Sequence, residues 1–125
     1  MKNLIKLFLS IAITFTGLSS FAAGGFFNPN LDITEVRASH ILVSSRKEAL
    51  EIKKNILNGN ISFEDAALRY SQCPSGQRGG DLGYFNRKQM VQSFSDTAFD
   101  LKIGEISAPV GTKFGWHIIK TTDKR

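Results

Sequence analysis

Three side chains in this sequence have chemistry to offer: His40, His117 and Cys73, the only cysteine in the chain. An imidazole can move a proton near neutral pH, and a thiolate can attack carbon or hold a metal. Their spacing argues against two of those uses. No second cysteine makes a Cys-x-x-Cys pair and no histidine sits at helical distance from another, so neither a zinc site nor a hydrolase signature is spelled out. His40 and His117 fall within extended, apolar stretches. If those strands pair, side chains on one face would stand about 5 Å apart. Taken singly, two histidines in strands are as well explained by hydrogen-bonded core positions, and a lone cysteine by a small buried hydrophobe.

The elements that must position these groups can be read from periodicity. Residues 35–43 alternate Val36, Ala38, His40 and Leu42 with Arg37, Ser39, Ile41 and Val43, the pattern of a strand apolar on both faces near its end. Ser44 or Ser45 caps a helix that buries Ala49, Ile52 and Ile56 and stops at Asn58-Gly59-Asn60. Ser62, with Asp65 three residues on, opens a second helix whose apolar stripe is Phe63, Ala66, Ala67 and Tyr70. Residues 71–83 hold four of the 11 glycines plus Pro74 and are read as a functional loop, followed by a short extended piece at Tyr84-Phe85. Phe94, Ala98 and Leu101 mark a third helix ending before Gly104, and strands are expected over 105–110 and 115–121, the former at an edge because Pro109 lacks an amide hydrogen. This order of strand, two helices, strand, helix and two strands predicts an α+β domain, a small four-stranded antiparallel sheet with helices packed around it.

The first residues read differently. Lys2 and Lys6 precede an apolar run from Leu7 to Phe15, and Ser20-Phe21-Ala22 offers small residues for cleavage, so 1–22 is read as a signal peptide. Residues 23–34 form a Gly-, Asn- and Pro-containing lead-in of low order, and 35–122 the folded domain. Without Lys2 and Lys6 the 16 basic residues fall to 14 against 11 acidic ones, and the formal charge from +5 to +3. The basic residues are dispersed, which argues against a nucleic-acid or membrane-surface footprint. A single cysteine leaves no internal disulfide, and none follows the signal as a lipid attachment point. The expected product is a soluble monomer in a periplasmic or extracellular space, with no cofactor or metal.

Five blocks then occur in one order: RASHILV (37–43), CPSG (73–76), GGDLGYF (79–85), QMV (89–91) with Phe94, and FGWHIIK (114–120). Together they resemble the parvulins, peptidyl-prolyl cis/trans isomerases, over roughly residues 35 to 122. The resemblance implies a parvulin/FKBP-like fold and an enzyme that accelerates rotation about X-Pro bonds in exported, folding polypeptides. It implies that His40 and His117 are the paired active-site imidazoles, with Thr112 in their hydrogen-bond network. Cys73 takes an adjacent position that other members fill with Asp, which favours an electrostatic over a covalent role. Leu82, Met90 and Phe94 match the apolar pocket for the proline ring. From the residues alone, Met90 and Phe94 at i and i+4 have a rival reading as core, and Thr112 one as a turn residue. Some parvulins demand a phosphorylated residue before proline and carry a basic loop after the first strand. Here that link is Ser44-Ser45-Arg46-Lys47, so no phosphopeptide requirement is expected. The other functions open to such a chain are a peptide-binding holdase using the same groove, a cysteine hydrolase, and a metal site formed by His40, Cys73 and His117.

Overall fold

The computed structural model describes residues 32–125, of which 33–125 form one compact unit. The expected signal peptide, and positions 23–31 of the lead-in, lie outside the described residues. Four strands, β1 (Val36–Val43), β2 (Asp81–Phe85), β3 (Val110–Thr112) and β4 (Gly115–Lys124), make an antiparallel sheet in the order β2-β1-β4-β3. Three helices, α1 (Arg46–Leu57), α2 (Phe63–Tyr70) and α3 (Gln92–Asp100), complete the α+β fold.

The two-sided patterning of β1 places the helices on both faces of the sheet. Ile41 and Val43, with Ile118 of β4, meet Ala49 and Ile52 of α1 and Phe63, Ala66 and Ala67 of α2. Val36 and Ala38, with Ile119 of β4, meet Phe94, Ala98 and Phe99 of α3 and Phe85 of β2. Each fully buried aliphatic or aromatic side chain of these two clusters contributes about 1.5–3 kcal/mol. Ser45 caps α1 by accepting from the Glu48 amide at 3.1 Å, and Ser62 caps α2 by accepting from the Asp65 amide at 3.0 Å. Tyr70, expected on the apolar stripe of α2, is instead 41% exposed: the helix ends there, and the ring lines a polar hollow between α1 and α2.

Three boundaries differ from the sequence reading. Residues 71–83 are not loop throughout, because Pro74 opens a 3-10 helix (Pro74–Arg78) closed by left-handed Gly79, and β2 begins at Asp81. A bulge makes this possible: Arg37 pairs with Tyr84 and Ser39 with Asp81, so Leu82 and Gly83 oppose Ala38 alone. Gly83 takes a φ of 73° there, and its amide donates to Asp81 Oδ1 at 2.9 Å. The strand expected over 105–110 reduces to a bridge between Ile106 and Lys120 and, beyond Pro109, the edge strand β3. Pro109 has no hydrogen to continue the ladder between them. Finally, β4 runs three residues past Thr121, held by pairing of Asp123 and Lys124 with Arg37 and Val36 across a second irregularity in register.

Candidate active site

Residues of β1 and β4 that point toward α3 form the floor of the site. His40 lies opposite Ile119 and His117 opposite Leu42, so the two histidines are diagonal rather than direct partners. Diagonal side chains are still within reach of one another when they are rings. The imidazoles stack with centroids 5.2 Å apart and an interplanar angle of 16°, and their Nδ1 atoms are 3.0 Å apart. Phe94, from α3, presents its ring nearly perpendicular to both, at 5.5 Å from His40 and 5.2 Å from His117.

Burial sets the charge of this pair. Removal from water holds His40 down to about 4, with repulsion from His117 adding to it, and burial lowers His117 in the same direction. Both rings are therefore neutral at neutral pH, and one proton must lie between the facing Nδ1 atoms. The far side decides which ring carries it. His117 Nε2 lies 2.7 Å from Thr112 Oγ1, which also accepts the Phe114 amide at 3.1 Å, whereas His40 Nε2 is buried without a partner among the described residues. A buried N–H without an acceptor is rarer and costlier than an unused lone pair. We therefore assign His40 Nδ1–H as donor to His117 Nδ1 and His117 Nε2–H as donor to Thr112.

Above these rings opens a cavity of about 370 Å³. Leu82, Met90 and Phe94 line it, together with Cys73, Pro74, Leu42 and Phe114. Leu82 reaches the cavity because the bulge at Gly83 redirects the strand. Met90 precedes α3 rather than lying on it, so its i, i+4 spacing to Phe94 is not a helical one. Phe94 belongs to both readings: only 3% exposed and packed on Phe85 at 6.0 Å, it is core, yet its ring edge lines the cavity. Cys73 Sγ accepts a hydrogen bond from Ser75 Oγ at 3.3 Å. Thr112 does not line the cavity; it stands behind His117. Among the described residues no three metal-ligating side chains converge.

Two participants were not legible as such. Gly80 carries the His40 strand: the His40 amide donates to the Gly80 carbonyl at 2.9 Å, and a Cβ on Gly80, at φ 87°, would collide with the His40 carbonyl oxygen. Phe114, 62% exposed in the β3–β4 turn, lines the mouth. A large apolar residue between the two expected strands was the available signal, and a single exposed hydrophobic residue is too common on surfaces to mark a site by itself.

Comparison with known proteins agrees with this geometry. Residues 35–123 match the family described as Rotamase: PPIC-type PPIASE domain. The chain is 50% identical over 92 residues to foldase protein PrsA of Bacillus subtilis, covering 73% of this chain and 31% of that protein. In structure it is similar to PrsA from Bacillus anthracis, with a TM-score of 0.71 at 50% identity, covering 74% of this chain and 43% of that one. It is also similar to NmPin, the parvuline of Nitrosopumilus maritimus, with a TM-score of 0.65 at 41% identity, covering 71% of this chain and 96% of that one. The chain belongs to the PPIC-type rotamase family of parvulins. It spans about a third of the length of the curated PrsA relatives it matches.

Proposed function

We propose that this chain is a peptidyl-prolyl cis/trans isomerase that acts on unfolded, proline-containing polypeptides outside the cytoplasm. The observation that carries the proposal is the apolar cavity of Leu82, Met90 and Phe94 built against two neutral imidazoles. An X-Pro amide resists rotation because conjugation gives its C–N bond double-bond character, with a barrier of about 20 kcal/mol. Lowering that barrier needs no covalent step; the twisted amide has only to be bound better than either planar form.

In this reading Leu82, Met90 and Phe94 hold the pyrrolidine ring while the preceding carbonyl swings. Planar conjugation places charge on the carbonyl oxygen, and a dry wall with uncharged rings stabilises that charge less than water does, which favours the twisted form. His40 and His117 are the floor, kept neutral by burial, and Thr112 behind His117 keeps the rings aligned. Cys73 sets polarity beside the oxygen rather than attacking carbon. Among the described residues no arginine or lysine lines the cavity, and Arg46 and Lys47 open α1, which supports the absence of a phosphopeptide requirement. Export rests on the reading of residues 1–22, and the name foldase carried by the PrsA relatives supports unfolded polypeptides as substrates. A soluble, monomeric product after cleavage, with the folded domain at 35–122, completes the proposal.

The test is two-dimensional exchange NMR on a peptide with one Xaa-Pro bond and catalytic protein. Cross-peaks between cis and trans signals that grow while the population ratio stays fixed are the expected result. A holdase would shift populations in proportion to its concentration without speeding exchange, and that outcome would refute catalysis.

A further inference from the structure

β2 leaves the outer edge of β1 unpaired beyond Ser39. A buried strand edge must still satisfy its amides, and two ends of the 71–80 segment do so. The Gly80 carbonyl takes the His40 amide, and the Gln72 amide donates to the Leu42 carbonyl at 2.7 Å. The remaining slot is filled by a side chain. Ser71 Oγ accepts the Leu42 amide at 3.0 Å and, through its second lone pair, the Cys73 amide at 3.3 Å. One hydroxyl thus ties the backbone of Cys73 to β1 two residues beyond His40. Ser71 is itself fixed, since its own amide donates to Ala67 at the end of α2 and its Cβ abuts Gly76.

We infer that Ser71 is a positioning residue: it acts through Cys73 by setting where that side chain sits relative to His40 and Leu42 in the cavity they share. The assignment rests on the isomerase reading for its effect on rate, but its structural half is independent of it. Without the Ser71 hydroxyl two part-buried amides lose their acceptor, and the segment is held to β1 beside Leu42 by the Gln72 bond alone. Cys73 then samples positions away from the imidazoles, and small displacements of groups around a reacting bond lower turnover disproportionately.

The experiment compares wild type, Ser71→Ala and Ser71→Thr, each checked by thermal unfolding. In Ser71→Ala we expect kcat to fall about tenfold with KM changed less than about twofold. Iodoacetamide should alkylate Cys73 about threefold faster, and the Leu42 amide should exchange about tenfold faster with deuterium. Ser71→Thr, which keeps the oxygen, should restore all three. Wild-type alkylation and Leu42 exchange in a folded Ser71→Ala overturn the inference whatever the activity. Activity loss that follows the melting temperature and is not restored by threonine overturns it too. If wild type proves inactive, the isomerase reading falls, while the alkylation and exchange arms still decide whether Ser71 holds the segment.

Discussion

A neutral imidazole pair is a demanding thing to bury, and its cost appears in the pH dependence of stability. His40 is held down to about 4 in the folded chain, against an ordinary 6.5. As pH falls below 6.5 the unfolded chain therefore gains a proton that the folded one refuses, so stability drops through the window from 6.5 to 4 and levels off below it. Urea unfolding of wild type against His40→Asn should show an extra loss of about 3 kcal/mol across that window; equal slopes would mean that His40 is not buried as described. Thr112→Val removes the acceptor of both His117 Nε2–H and the Phe114 amide. It should lower stability by about 1–3 kcal/mol in chemical denaturation, and a neutral result would break the proposed chain of donors.

Among the elements, Gly80 and the bulge at Gly83 both hold a left-handed backbone that L side chains rarely adopt. A Gly80→Ala variant must accommodate a Cβ against the His40 carbonyl oxygen at a φ of 87°. A loss of about 2–4 kcal/mol in urea unfolding is expected, well above the roughly 1 kcal/mol of a lost cap in Ser62→Ala. These positions also mark the limit of what the residues announce. The alternation in 36–43 gives a strand buried on both sides, and the serine caps of α1 and α2 are local signals that tertiary contacts had no reason to override. The start of β2 at Asp81 was hidden because a bulge depends on the partner strand, and 79–83 alone show only glycine. The strand expected over 105–110 does lie at an edge, but the missing hydrogen of Pro109 also divides it into the Ile106–Lys120 bridge and β3. At the site, ordered motifs brought together His40, His117 and Thr112 and the cavity-lining Leu82, Met90, Phe94 and Cys73. Gly80 and Ser71 act through contacts with the β1 backbone, which their residue types do not announce, and Phe114 left only the signal of a large apolar residue between two expected strands.

For the whole molecule, the described unit has a core on each face of its sheet. Residues 33–125 expressed alone should unfold in one cooperative transition, with circular dichroism and tryptophan fluorescence from Trp116 giving coincident midpoints. Separate midpoints would show that the two cores do not form one unit. The relatives that are about three times longer place the same domain within a larger chain, so independence of this unit bears directly on where activity resides.

The account turns on an apolar wall that grips proline next to uncharged rings, and Met90 is its best probe, because it lies outside α3 and only partly within the core. Protease-coupled isomerisation by Met90→Ala, with its melting temperature measured alongside, tests it most directly. A loss of about tenfold in kcat/KM with the fold intact is expected. An unchanged kcat/KM would contradict the assignment of this cavity as the place where the prolyl bond turns.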